Sequence, residues 1–140
     1  GGAYAVQKLL AMELAKRGVA NNATAKELEA GEHREATQKI TVASATDGNH
    51  GRSVAWGAKR FGCRCVIFVH EGVAQGRRDA IARYGADLRV IPGTYDDAVR
   101  ACTKEAEAQG WFVVSDTSWP GYTEVPRDVM QGYRLMAEEA

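Results

Sequence analysis

The residue types most able to do chemistry fall in two short segments. The first reads Thr46-Asp47-Gly48-Asn49-His50-Gly51. Gly48 and Gly51 let the backbone turn sharply and bare its amides. A helix starting just after them would aim its positive end at a bound anion, either a carboxylate or a phosphate. Asn49 adds a side chain that both donates and accepts, which suits a phenolic oxygen or another polar ring substituent. The second segment, Ser115-Asp116-Thr117-Ser118-Trp119, supplies another aspartate. Like charges brought together in a cleft cost energy, so two aspartates sharing one point to a purpose. As bare patterns the segments are unspecific. The glycine spacing is not that of a dinucleotide fingerprint, and no Gly-Lys-Ser/Thr of a P-loop is present. Asp47, Asn49 and Asp116 also fit plain work as turn formers and helix caps.

The other conspicuous side chains have ordinary readings. Trp119 reads as packing beneath its loop, His33 and His70 as surface or core residues, and Cys102 as core. Cys63 and Cys65 form Cys-x-Cys with no second pair, so no zinc site is expected.

The elements that must position these segments show in the hydrophobic periodicity. Residues 40–45, 65–69, 88–91 and 112–114 are short, mostly continuous apolar runs. Strands covered on both faces read this way, which predicts a parallel sheet. Between them lie helical spacings: Val54, Ala58 and Phe61; Ile81 and Tyr84; Ala98, Cys102 and Ala106. Thr94 followed by Asp97 forms a capping box with Asp in the Glu position. Gly62, Gly85 and Gly110 come after the helices at separations of 23 and 25 residues, the length of one helix, one strand and two turns.

Two further helices are expected at the ends. Val6, Leu9, Leu10 and Leu14 make an apolar face closed by Gly18. Pro126 opens a helix continued by Val129, Tyr133 and Met136. Residues 19–39 read as a loop plus a short helix. The result is an α/β fold, a three-layer α/β/α sandwich on a four-stranded parallel sheet. A Rossmann-like winding gives the order 3-2-1-4. That order sets the first and fourth strands side by side at the switch point. Both candidate loops then leave the same carboxyl edge, where open α/β sheets bind ligands.

The chain of 140 residues is one domain's worth, with 45% hydrophobic and 26% charged residues. Eighteen basic residues cancel eighteen acidic ones. That balance offers no field for a phosphate backbone and argues against nucleic acid as the main partner. No apolar stretch approaches the ~20 residues of a membrane span. Three cysteines make no disulfide framework, which fits a reducing cytoplasm. There is no initiator Met before Gly1-Gly2, and the chain is expected to be a piece of something longer.

The combination of motifs is more specific than any one of them. Ala45-Thr46-Asp47-Gly48-Asn49-His50-Gly51, running into Val54-Ala55-Trp56, resembles the Ser/Thr-x-Gly-Asn-His/Thr loop of fold-type II pyridoxal-phosphate enzymes. That group includes serine and threonine dehydratases, cysteine synthase and the tryptophan synthase β chain. Most of its members carry a small residue where this chain has Asp47. Asp in that place, with Asp116-Thr117-Ser118-Trp119, Gly121-Tyr122-Thr123 and Met130-Gln131-Gly132-Tyr133, is similar to the diaminopropionate ammonia-lyases of the group. The likeness runs from Gly1 to the end and is weakest over residues 19–39.

The resemblance implies pyridoxal 5′-phosphate as cofactor, its ring accepting the electrons left by a departing α-proton. Loss of the β-amino group of 2,3-diaminopropionate would come next, giving pyruvate and ammonia. It implies that Thr46, Gly48, Asn49 and His50 line the substrate carboxylate site, with the Asn49 side chain beside the cofactor's 3′-oxygen. The family holds the cofactor phosphate on its other domain, so the anion at this loop is the carboxylate. Asp47 would be the base for one enantiomer, and Asp116 would assist by orienting the substrate amine.

None of the six lysines, Lys8, Lys16, Lys26, Lys39, Lys59 and Lys104, has the Schiff-base context. Gly1-Gly2-Ala3-Tyr4 instead resembles the stretch immediately after that lysine in the family. The implied whole is a cytoplasmic, homodimeric two-domain enzyme acting on a small amino acid. Residues 1–140 would be its small domain, inactive alone. A serine or threonine dehydratase is the nearer alternative. A non-catalytic Rossmann-like or receiver domain is the other, but the acidic pair and lysine a receiver needs are absent.

Overall fold

A computed structural model describes residues 2–115 and the backbone of residues 134–137. Helix α1 (Gly2–Lys16) and two short helices, α2 (Ala25–Ala30) and α3 (Arg34–Thr37), precede the first strand. Then β1 (Thr41–Ala45), α4 (Asn49–Phe61), β2 (Arg64–His70), α5 (Gln75–Ala82), β3 (Asp87–Ile91), α6 (Tyr95–Gln109) and β4 (Phe112–Ser115) alternate. Strand β5 (Arg134–Ala137) closes the described chain. Every pairing is parallel, in the order β3-β2-β1-β4-β5. The expected 3-2-1-4 order is therefore present, with β5 added outside β4.

The sheet is covered on both faces because its central strands are apolar at consecutive positions. Along β1, Val42 packs into a cluster with Leu10, Leu14, Val54, Phe61 and Ile67. Its neighbour Ala43 joins Val66, Phe68, Ala98, Cys102 and Ala106 on the other face. Helices α1 and α4 thus form one outer layer and α6 the other. Helix α1 approaches α4 very closely. A Cβ on Gly57 would lie 2.7 Å from Ala3 Cα, so only glycine admits this packing. The Ala3 amide also donates to Ser53 Oγ at 3.1 Å.

Local signals place the helix ends. The Asp97 carboxylate accepts from the Thr94 amide at 2.7 Å, and Thr94 Oγ1 accepts from the Asp97 amide at 3.4 Å, completing the capping box of α6. Gly62, Gly85 and Gly110 all take the left-handed conformation expected of them.

Two expectations need correction. Residues 19–39 hold two short helices rather than one. Thr24 Oγ1 caps the first by accepting from the Glu27 amide at 3.1 Å, and buried Leu28 pins it to the core. The helix expected to run through Met136 is not helical there. Residues 134–137 form an edge strand, with Met136 opposite Val114. Pairing with β4 outweighs a weak helical period of three apolar positions. Val129 and Tyr133 lie outside the described residues. Among the described residues no helix is long and apolar enough to cross a membrane.

Candidate functional site

Strand β1 pairs with β2 on one side and β4 on the other, so its carboxyl end stands at the switch point. Thr46 leaves the strand still fully buried, its amide donating to the Phe68 carbonyl at 3.0 Å. Its hydroxyl then accepts from two amides, Gly48 and Gly51, each at 3.0 Å. Gly48 is the N-cap of α4, with no side chain to serve that end. Thr46 thus caps the helix from two residues further back. A helix start otherwise leaves its first amides without partners.

Both glycines are required. Gly48 has φ +156° and ψ −89°, a backbone that side chains resist. A Cβ on Gly51 would stand 2.3 Å from Thr46 Cγ2 and 3.2 Å from Ile67 Cγ2. The tight loop sets what it displays. Asp47 is exposed, its carbonyl accepting from Arg77 Nη1 at 3.1 Å, while its carboxylate has no partner among the described residues. Asn49 is exposed as the first residue of α4, and its side chain too has no hydrogen-bond partner among the described residues.

His50 is half-buried and reaches across the switch point. Its Nε2 lies 3.2 Å from the Val114 carbonyl. A carbonyl only accepts, so Nε2 carries the hydrogen. The ring thereby ties the β1 loop to the end of β4. Asp116, Trp119 and the downstream motif residues lie outside the described residues. The parallel pairing of β1 with β4 puts Ser115, the last residue of β4, at the same edge of the sheet as Asp47.

The remaining candidates sit elsewhere. His33 Nε2 meets Glu27 Oε2 at 3.2 Å, and His70 Nδ1 accepts from the Gly72 amide at 3.1 Å, both local structural bonds. Burial pushes the Cys63 and Cys102 thiols up to about 12, and the Cys65 thiol higher still. Such thiols are not nucleophiles near neutrality. Cys63 and Cys65 line a cleft of about 410 Å³ with Tyr84 and Trp111 at the amino edge of the sheet, away from the candidate loop. No group of three or more metal-ligating side chains occurs among the described residues.

Sequence reading assigned Thr46 to a ligand, yet its oxygen is already engaged by Gly48 and Gly51. Arg77 was missed. It stands 30 residues from Asp47, and no local pattern marks it.

Residues 15–140 match the model of the pyridoxal-phosphate dependent enzyme family. The chain belongs to that family. Pyridoxal 5′-phosphate is the family's cofactor, and the strand order 3-2-1-4 is that of a fold-type II small domain. The chain is 50% identical over 103 residues to a diaminopropionate ammonia-lyase of Escherichia coli strain K12, covering 74% of this chain and 26% of that enzyme. It is 39% identical over all 140 residues to the Salmonella typhimurium diaminopropionate ammonia-lyase, covering 34% of it. The chain therefore spans between a quarter and about a third of these relatives. A crystal structure of the Escherichia coli diaminopropionate ammonia lyase in complex with D-serine matches with a TM-score of 0.73 and 42% identity. The match covers 95% of this chain and 33% of that one.

Proposed function

We propose that this chain is the substrate-facing domain of a pyridoxal-phosphate-dependent ammonia-lyase that converts 2,3-diaminopropionate to pyruvate and ammonia. The observation that carries this reading is the Asp47 carboxylate, exposed and unpartnered among the described residues on a loop whose backbone is fixed. Most fold-type II enzymes place a small neutral residue there. The two relatives named above share the proposed activity.

The loop fits the cofactor's polar edge. Asn49 is exposed at the start of α4 and its side-chain amide can donate to a ring oxygen. When bound, pyridoxal 5′-phosphate supplies the electron sink for the α-proton's departure. The chain's own residues do the rest. The positive end of α4, with the amides beside Gly48, holds the substrate carboxylate, with His50 bracing the loop from below. Thr46 serves that site by capping the loop. Asp47 takes the α-proton of the D substrate, and Asp116 orients the substrate amine. A base on one face cannot reach the proton of the mirror-image substrate, so the L substrate uses a base on the opposite face.

No lysine of this chain has the context that carries the cofactor. The lysine and the phosphate cradle are then supplied by other parts of the full-length protein, a cytoplasmic homodimer of two-domain subunits. Residues 1–140 are then inactive alone.

The full-length protein loaded with pyridoxal 5′-phosphate tests this. Pyruvate release should be at least tenfold faster, in kcat/KM, from 2,3-diaminopropionate than from serine or threonine. A preference for serine or threonine would make the protein a dehydratase. No turnover of any of the three would remove the lyase reading.

A further inference from the structure

We propose that Arg77 is a positioning residue that fixes the Asp47–Gly48 peptide and so sets where the Asp47 carboxylate stands. The inference rests on the lyase reading for its kinetic consequence, though its geometry stands independently.

The peptide unit between Asp47 and Gly48 has two polar groups, and both are engaged. Its carbonyl accepts from Arg77 Nη1 at 3.1 Å. Its N–H donates to the buried Thr46 hydroxyl at 3.0 Å. Rotating this plane breaks both bonds together. Holding the plane fixes the position of the Asp47 Cα, and the Thr46 amide bonded to the Phe68 carbonyl anchors the residue before it, which narrows the directions open to the Asp47 carboxylate.

The Arg77 side chain also packs on the loop. A Cβ at Gly48 would meet Arg77 Cδ at 3.0 Å, Nη1 at 3.3 Å and Nε at 3.5 Å. Arg77 therefore lies over the bare glycine, at a residue whose φ of +156° gives the backbone no intrinsic preference for this turn. The guanidinium comes from a fixed base. Arg78, next along α5, donates to the Glu71 carbonyl at 2.6 Å, and Val73 just before the helix is buried. The first turn of α5 thus staples the loop after β2 to the loop after β1. A lysine at position 77 would supply a cation but not a flat group to lie on Gly48.

Because a misplaced catalytic group can cost about a hundredfold in rate, Arg77→Ala in the full-length holoenzyme should lower kcat for D-diaminopropionate by about 10- to 100-fold. KM should change less than about threefold, and so should turnover of the L substrate. In an Asp47→Asn background, Arg77→Ala should cause no further loss on the D substrate. Arg77→Lys should recover part of the lost rate. Hydrogen exchange in residues 46–51 of the cofactor-free full-length protein gives a readout apart from activity. Arg77→Ala should speed it by about five- to tenfold, the effect of one lost hydrogen bond.

Equal losses on both enantiomers, or a further loss in the Asp47→Asn background, would overturn the role. Unchanged exchange in residues 46–51 would overturn the clamp itself. If the wild-type protein does not turn over diaminopropionate at all, the lyase reading fails, and the exchange result alone decides the clamp.

Discussion

Replacing Thr46 by valine keeps the residue's shape and removes one oxygen. That oxygen accepts from the amides of Gly48 and Gly51, both at 3.0 Å, and Thr46 is only 1% exposed. Gly48 and Gly51 are themselves buried, so water cannot replace the lost acceptor. A buried donor left unpaired costs about 1–3 kcal/mol. Two of them, less the gain of about 1 kcal/mol from burying a methyl in place of a hydroxyl, give about 1–5 kcal/mol for Thr46→Val. Thr46→Ser is the control. It keeps the oxygen and loses the methyl that packs on Gly51, a cost of about 1 kcal/mol.

Urea unfolding followed by circular dichroism separates the two. With a slope of about 2 kcal/mol per molar, the midpoint should fall by about 0.5–2.5 M for valine and by no more than about 0.5 M for serine. A valine variant as stable as the wild type would refute the capping role. A serine variant more damaged than the valine would refute it too, since the methyl would then be what matters.

Two further predictions test the frame around the site. The Asp97 carboxylate is held below its usual 3.8, first by the Thr94 amide that it accepts, then by the Thr94 hydroxyl and Arg100. A depressed carboxylate stabilises the fold above its unfolded value and loses that contribution as the pH falls through its folded value. The stability gap between wild type and Asp97→Asn should therefore shrink as pH drops below about 4, and a gap that widens in acid would contradict this. Ser44 Oγ is fully buried in β1 with no hydrogen-bond partner among the described residues. Ser44→Ala should leave the urea midpoint unchanged or raise it by up to about 0.5 M; a fall of that size would mean the hydroxyl is engaged after all.

The strands were legible because each is short, continuously apolar and bounded by glycine. Val42 and Ala43 are buried against opposite layers, which only a covered parallel sheet demands. Helix α6 was legible from Thr94 and Asp97, a contact three residues apart. Helix α2 carries a comparable signal in Thr24 and Glu27, but a single buried residue, Leu28, gives it no period to read. Strand β5 was not legible. Its state depends on pairing with β4 about twenty residues away, and no window of sequence contains that partner.

The site divides along the same line. The loop's position at the switch point was readable from the winding order. The two anchors that shape the loop were not. Thr46 carries a hydroxyl that suits a ligand as well as an amide, and only the folded turn decides which it meets. Arg77 arrives from another helix.

Asp47 as the base for one enantiomer is the central claim. Steady-state pyruvate release from D- and L-diaminopropionate by full-length Asp47→Asn, compared with the wild type, tests it most directly. General bases contribute about 10²–10⁴-fold, so the D-to-L ratio of kcat/KM should fall by about that factor while L turnover stays near the wild-type value. Equal losses on both enantiomers would contradict the claim and leave Asp47 a binding or loop-forming residue.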